Sequence, residues 1–550
     1  MLSMTDFRRH WQTLRPNWRV ETLALAGSLF FTLTCNGLFW QSILDGRSWS
    51  TPATWFFVGG VGIFLVALHF LLLALILNRW TAKPILAVLI VVTAFASYYM
   101  STFTVFLDPS MLRNVLRTDV KEASELFTLG IAPHLLLFAA LPIIVLWRVR
   151  LKVTPLPRAL LARLLCLVGA LAVVAGSLMV SYHELAPLMR NRKEVRYLIT
   201  PANYLYSLAR VLGSDANAAT KPRQTIGTDA QRAPAWQQRS KPALFVIVVG
   251  ETARAANWGL NGYQRQTTPE LAQLDVINFP QTTSCGTNTE TSVPCLFSAY
   301  GRRHYDEDKI RNSESLVNVL DHAGFRVIWR DNQSGCKGVC TGVEEQKLSS
   351  SKVPELCDGE RCLDEILLDG LDQIVADTKG NLVLILHQLG NHGPAYFKRY
   401  PPAYRKFEPT CDTAELAKCT QEAVVNTYDN ALLYTDHMLA QTIAYLKKQS
   451  DKYDTAMIYF SDHGESLGEK GLYLHGVPYA IAPKEQTTVP MVMWFSPGYA
   501  QDFALDVACL KQRAAAPASH DNLFHSVLGL LDVQTSVYDA SLDLARTCRR

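Results

Sequence analysis

Apolar residues follow two different rules along this chain, and the rule changes near residue 182. Before that point they come in long unbroken runs, at about 21–44, 55–78, 84–106, 129–147 and 159–181. Each run is long enough to cross a bilayer as a helix. The stretch Phe56–Leu77 holds no charge, a pattern foreign to the helices of a water-soluble protein. After residue 242 the runs shorten to Ala243–Val249, Phe325–Trp329, Leu382–Leu386, Ala456–Phe460 and Val489–Phe495. Runs of that length read as strands buried on both faces. Helical periods near 313–323, 421–448 and 520–532 alternate with them, which predicts a mainly parallel sheet sandwiched by helices. The expected architecture is an α-helical membrane domain of five transmembrane helices over 1–181. An interfacial helix and linker follow over 182–241, and a soluble α/β domain over 242–550.

Basic residues set the orientation of the spans. Arg8, Arg9, Arg15 and Arg19 precede the first run, Arg79 and Lys83 follow the second, and Arg148, Arg150, Lys152 and Arg158 lie between the fourth and fifth. These segments are expected on the cytoplasmic side, and five spans then place the soluble domain outside. The loop 107–128 departs from the pattern, since it carries Arg113, Arg117 and Lys121 on the outer side. Within it Asp108-Pro109 reads as an N-cap followed by proline at the first helical position. The helix that starts there would align Asn114, Thr118 and Glu122 on one face. Taken alone, that stripe is a solvated interfacial helix, with a lipid head-group contact as the alternative. Residues 182–212 mix Arg190, Arg192, Lys193 and Arg196 with Tyr197, Leu198, Tyr204 and Leu205, as a helix lying in the membrane interface would, and an ordinary amphipathic connector fits the same pattern equally well. Residues 213–241, rich in Ala, Thr, Gln and Ser, read as a flexible linker.

Charge and cysteines sharpen this picture. A net charge of +4 over 550 residues gives no reason to expect nucleic acid as a partner. Of twelve cysteines, Cys35 and Cys166 lie in apolar runs and the other ten fall between 285 and 548. Those ten pair by proximity as Cys285/Cys295, Cys336/Cys340, Cys357/Cys362, Cys411/Cys419 and Cys509/Cys548. No CxxC occurs, so a zinc ribbon is excluded and an oxidising compartment is expected, the bacterial periplasm or a cell exterior. Both arguments put the second half on the same side.

Candidate chemistry gathers where the short strands end. Ala243–Val249 is followed by Gly250-Glu251-Thr252, and Ala456–Phe460 by Ser461-Asp462-His463-Gly464. Ligands of open α/β sheets collect at the carboxyl ends of strands. Two carboxylates and an imidazole suit zinc or manganese better than magnesium or calcium, and three protein ligands leave a coordination position open for a reacting group. His387 ends a third strand, while His392 and His475 sit in the glycine-bearing loops Asn-His-Gly-Pro and Leu-His-Gly. A hydroxyl beside the metal can act as nucleophile. The stretch Thr282–Cys295 offers Thr287, Thr289, Thr291 and Ser292, and chemistry alone leaves all four open.

A resemblance narrows the choice. Gly250-Glu-Thr-Ala-Arg254, Thr283-Ser-Cys-Gly-Thr-Asn-Thr289, Ser292-Val-Pro-Cys295, Asn391-His-Gly-Pro394, Ser461-Asp-His-Gly-Glu-Ser-Leu-Gly468 and Tyr473-Leu-His-Gly476 resemble the signature of the phosphoethanolamine transferases that modify lipopolysaccharide. These belong to the alkaline-phosphatase and sulfatase superfamily, and the similarity is strongest to lipid A enzymes of the colistin-resistance type. The resemblance implies Thr289 as nucleophile and Glu251, Thr289, Asp462 and His463 around a zinc ion. It implies that His392 and His475 contact the phosphoethanolamine phosphate or a second zinc, that Lys337 and Ser334 contact substrate, and that Asn114, Thr118 and Glu122 contact the head group. It further implies phosphatidylethanolamine as donor, lipid A as acceptor, a phosphoethanolamine–threonine intermediate, resistance to polymyxin and cationic peptides, and a monomer in the bacterial inner membrane. Other acceptors (core heptose, Kdo or a membrane glucan), phosphoglycerol transfer, or a non-catalytic binding module are the alternatives. A sulfatase is disfavoured, because the Cys-x-Pro-x-Arg sequence that yields its formylglycine does not occur.

Overall fold

The computed structural model describes residues 15–220 and 222–549, so Arg8 and Arg9 lie outside the described residues. The chain forms two compact units, one of Met1–Leu112 with Thr128–Arg210, the other of Arg113–Phe127 with Val211–Arg550.

Helices Pro52–Ile76, Ala82–Phe103, Ile131–Arg148 and Leu156–Asn191 of the first unit are long and apolar enough to span a bilayer. Phe56, Leu171 and Val180 point outward and exposed, as lipid-facing side chains do. The first expected span is not one helix. Val20–Thr34 and Gly37–Leu44 meet at a bend of 55°. The cause is Asn36, whose buried amide donates to the carbonyls of Phe31 and Thr200 at 2.8 Å each and accepts from the Thr200 amide at 2.8 Å. Within Ile131–Arg148 a π-helical turn at Leu136–Ala140 precedes Pro142, which has no N–H for the regular ladder. The segments expected on one side of the membrane do meet. Arg150 donates its amide to Pro16 and Lys83 its ammonium to the carbonyl of Trp147.

The fifth span runs past residue 181, to Asn191, and its 36 residues extend roughly 54 Å, well beyond a bilayer core. The interfacial helix expected over 182–212 is therefore divided between the end of this span, a 3₁₀ turn at Lys193–Leu198 and a new helix Ala202–Thr220. Much of the expected linker is ordered too. Arg223 donates to the carbonyls of Ser313 and Thr341, Gln231–Arg232 pairs with Val533–Gln534, and Trp236 stands edge-on to Phe325 and Phe503.

The second unit is built on eight strands: β1 (Ala243–Gly250), β2 (Ile277–Thr283), β3 (Arg326–Asp331), β4 (Glu344–Lys347), β5 (Leu382–His387), β6 (Asp454–Ser461), β7 (Thr488–Phe495) and β8 (Ala518–Ser519). They lie in the order β8–β2–β7–β6–β1–β5–β3–β4. All are parallel except β7, which runs antiparallel to both its neighbours. Strands β1, β5 and β6 are buried throughout, and helices such as Gln421–Gln449 and Asp521–Leu530 pack on the sheet. All five proximity pairs of cysteines are disulfide-bonded.

Candidate metal centre

Register brings the two carboxylates together. In the parallel pair β1–β6, Gly250 lies opposite Ser461, so Glu251 and Asp462 leave the sheet side by side. The backbone then fixes one oxygen of Asp462, since Oδ1 accepts the amides of Thr252 at 3.2 Å and His463 at 2.7 Å. Thr252 achieves this with a left-handed φ of 54°, unusual for a β-branched residue. The His463 ring is fixed by Nδ1, 3.0 Å from the carbonyl of Gly464, and turns Nε2 toward both acids. Gly464 is needed for closeness rather than for turning, because a Cβ there would lie 2.0 Å from the carbonyl oxygen of Glu485.

Each acid keeps one oxygen for another purpose. Glu251 Oε2 accepts from the Thr289 hydroxyl at 3.0 Å and from the Gln333 amide at 3.0 Å. Glu251 Oε1 and Asp462 Oδ2 are buried without a hydrogen-bond partner, and each lies 3.3 Å from His463 Nε2. Two such oxygens facing one ring nitrogen form a donor set for a divalent cation, and all three ligand atoms lie within 4.8 Å of one another. Titration points the same way. Burial together with the Glu251 charge pushes Asp462 up to about 7. Burial alone would lower His463, yet the negative charge of Asp462 and Glu251 pushes it up to about 10, the same charge that a bound cation would offset.

Of the four hydroxyls left open by chemistry, one faces these acids. Thr287 donates to the carbonyl of Val477 at 2.8 Å, Ser292 to that of Asp462 at 2.5 Å, and Thr291 bonds Tyr305. Thr289, at the first position of helix Thr289–Leu296, lies against Glu251 and 3.4 Å from His463 Nε2. Asn288 caps this helix by accepting the Thr291 amide at 2.9 Å, and the positive end of the helix dipole favours negative charge near Thr289.

The remaining candidates fall into two groups. The His475 ring lies 4.4 Å from that of His463, tilted at 45°, and is held by Glu465, which takes its Nδ1 at 2.7 Å and the Tyr396 hydroxyl at 2.6 Å. The His392 ring lies 5.6 Å from that of His475, and its Nε2 is 3.0 Å from Glu122 Oε1. Glu122 is held down to about 2, because His392 and Lys337 outweigh the effect of burial. Lys337, with φ of 53°, donates to Ser334 Oγ at 2.6 Å. Ser334 lines two adjoining hollows, one shared with Glu122 and His392, the other of about 320 Å³ shared with Lys337. His387 stands back from the acids, its Nδ1 2.8 Å from Asp331.

Asn114 and Thr118 do not form the expected stripe with Glu122. Helix Pro109–Arg117 stops and Asp119 caps a second one, Val120–Glu125, accepting the Glu122 amide at 2.7 Å. Thr118 donates back to the carbonyl of Asn114 at 2.8 Å instead. The N-cap read at Asp108 is present, accepting the Met111 amide at 2.8 Å. Sequence reasoning passed over Gln333, Glu465 and Asp331. Glu465 lay inside a quoted motif, and Gln333 lay beside Ser334.

Comparison with known proteins covers both halves. The Sulfatase family model matches residues 243–533, and that of phosphoethanolamine transferase EptA/EptB matches residues 65–216. Phosphoethanolamine transferase EptA of Escherichia coli (strain K12) is 38% identical over 553 aligned positions, covering 98% of each chain. Phosphatidylethanolamine transferase Mcr-1 of Escherichia coli is 38% identical over 86% of this chain and 89% of that protein. Among solved structures, the integral membrane lipooligosaccharide phosphoethanolamine transferase A (EptA) from Neisseria meningitidis has a TM-score of 0.92 at 38% identity, covering 97% of this chain and 100% of that one.

Proposed function

The chain belongs to the phosphoethanolamine transferase family, and from that premise we propose that it moves phosphoethanolamine from phosphatidylethanolamine to a phosphate of lipid A by way of Thr289. The observation that carries this reading is the Thr289 hydroxyl donating to Glu251 Oε2 at 3.0 Å beside the partnerless oxygens of Glu251 and Asp462.

Glu251 Oε1, Asp462 Oδ2 and His463 Nε2 would hold a zinc ion, with Thr289 Oγ1 completing the set. Zinc bound there supplies Lewis acidity, easing loss of the hydroxyl proton and offsetting charge on the phosphoryl oxygens. The chain's own groups do the rest. Thr289 Oγ attacks phosphorus in line as its proton passes toward Glu251 Oε2, which already accepts it. The bond from phosphorus to the diacylglycerol oxygen breaks, and that oxygen takes up a proton. This leaves phosphoethanolamine esterified to Thr289. An oxygen of the acceptor phosphate then attacks, the threonine ester opens, and Thr289 regains a proton. Lys337, His392 and His475 bear on the anionic phosphoryl oxygens, while Glu122, ionised across the working pH range, suits the ammonium of ethanolamine.

On this reading the protein sits in the bacterial inner membrane with Val211–Arg550 in the periplasm, where the five disulfides persist. Each transfer adds an ammonium to the lipid surface, which weakens the attraction of polymyxin and other cationic peptides. Mass spectrometry of lipid A from cells with and without the gene tests this directly. One added phosphoethanolamine on a lipid A phosphate is expected, and its appearance on a core sugar or a glucan instead would redirect the acceptor assignment.

A further inference from the structure

Resting on the transferase reading, we propose that Gln333 is a positioning residue that decides which oxygen of Glu251 faces the metal and ties that choice to Lys337. Gln333 lies in the loop after β3, is 6% exposed, and starts from a fixed point. Asp331 Oδ1 accepts the amides of Gln333 at 2.9 Å and Gly335 at 3.0 Å, and its Oδ2 accepts from Trp329 Nε1 at 3.0 Å. The side chain spans a gap. Its Nε2 donates to Glu251 Oε2 at 3.0 Å, and its Oε1 accepts the amide and the hydroxyl of Ser334 at 2.5 and 2.7 Å. Ser334 Oγ in turn accepts from the Lys337 ammonium at 2.6 Å.

The amide can sit only one way round. Turned over, its oxygen would meet the Glu251 carboxylate and its NH₂ would meet the Ser334 N–H, turning two of the three hydrogen bonds into repulsions, and only the Ser334 hydroxyl could adapt by accepting. Donors therefore run in one direction, from Lys337 through Ser334 and Gln333 to Glu251, and each bond in such a series polarises the next.

The consequence falls on Glu251. A carboxylate flanked by one cation can present either oxygen or both. Here Oε2 is filled by Gln333 and Thr289, so Oε1, buried and without a hydrogen-bond partner, is the oxygen left for the metal. Without the amide, Thr289 alone would hold Oε2. The carboxylate could then swing to take the cation through both oxygens and draw away from the nucleophile. Asp462 is oriented by the same logic with backbone amides in place of a side chain. Outer partners of this kind are worth about 10- to 100-fold in metal affinity.

The test uses the full-length protein purified in detergent, with zinc affinity measured by competition against a chromophoric chelator. Gln333→Met keeps the length and volume of the side chain and removes the donor. Gln333→Asn keeps the amide but is one methylene too short to reach both Ser334 and Glu251. The expected result is zinc binding weakened about 10- to 100-fold in Gln333→Met and by a smaller factor in Gln333→Asn. The melting temperature of the zinc-free protein should stay at the parent value, and kcat should remain reduced at saturating zinc. A folded Gln333→Met that binds zinc within twofold of the parent overturns the proposal, and Gln333→Asn decides in the same way should the first variant fail to fold. Absence of zinc binding by the parent protein would overturn the metal reading itself, a result distinct from equal binding by parent and variant.

Discussion

Glu122 meets His392, its Oε1 3.0 Å from Nε2 of the ring, although the two lie in distant parts of the sequence. One turn further, Glu125 pairs with Arg361 at 2.8 Å and Arg399 at 2.5 Å, and Lys121 donates to the carbonyl of Ser349 at 3.2 Å. A loop that reads as a solvated interfacial helix is instead bound to the soluble fold through its charges. Glu122→Gln keeps the shape and removes the charge. Because hydrogen bonds to ionised groups are worth about 1.5–3 kcal/mol, kcat/KM for short-chain phosphatidylethanolamine should fall about 10- to 100-fold. A variant within twofold of the parent would remove Glu122 from head-group recognition.

Thr289→Ala deletes the hydroxyl that faces Glu251 and leaves the cap of its helix, Asn288, in place. Transfer should drop by at least about a thousandfold, as loss of a covalent nucleophile does elsewhere. Melting temperature should stay close to the parent, whereas zinc should be held less tightly, because Thr289 Oγ1 completes the proposed ligand set. Thr289→Ser keeps the oxygen but loses the branching that restricts χ1, so intermediate rates are expected. Intact-protein mass spectrometry after mixing with donor alone should show one added phosphoethanolamine on the parent and none on Thr289→Ala.

The pair of acids at the sheet edge was legible because fully buried strands leave charge nowhere to go but their ends. Glu251 and Asp462-His463 follow β1 and β6 directly, and the parallel register does the rest. The direction of β7 was not legible, since a strand buried on both faces has the same composition in either orientation. Nor was the bend at Asn36, whose partner Thr200 lies far along the chain. Residues 213–241 have a flexible composition, yet Trp236 finds Phe325 and Phe503, partners that no local pattern announces. At Asp119 the signal was present and went unused. An aspartate three residues before Glu122 is a helix start, and it breaks the stripe begun at Asn114.

His437 supplies a pH prediction that does not rest on the zinc reading. Its Nδ1 is 2.9 Å from Glu270 and its Nε2 3.4 Å from Glu365. The hydrogen bond to Glu365 raises its pKa, and that bond and the Glu270 contact together outweigh burial. A histidine raised on folding contributes stability that is complete below its unfolded value near 6.5 and disappears as pH rises through the folded value. The ring is partly exposed, so the contribution should be about 0.5–1 kcal/mol. Melting curves of the parent and His437→Gln should differ most near pH 5.5 and converge at alkaline pH. A gap that widens with pH would contradict the assignment.

Two disulfides should separate stability from substrate handling. Cys336–Cys340 closes a loop of sequence separation 4 around Lys337, whereas Cys509–Cys548 has a sequence separation of 39 and holds no proposed site residue within four positions of either cysteine. Loop-closure entropy assigns the short bridge about 2 kcal/mol and the long one about 4 kcal/mol. The Lys337 ammonium donates to Ser334 from a backbone with φ of 53°, a conformation a lysine rarely holds unaided. Replacing Cys336 and Cys340 together with serine frees that backbone. The expected outcome is a severalfold higher KM for the donor with a modest loss of melting temperature. The double serine variant at Cys509 and Cys548 should lose more thermal stability and keep its KM. If both pairs shift KM alike, or neither does, the short bridge has no particular part in holding Lys337 toward the substrate.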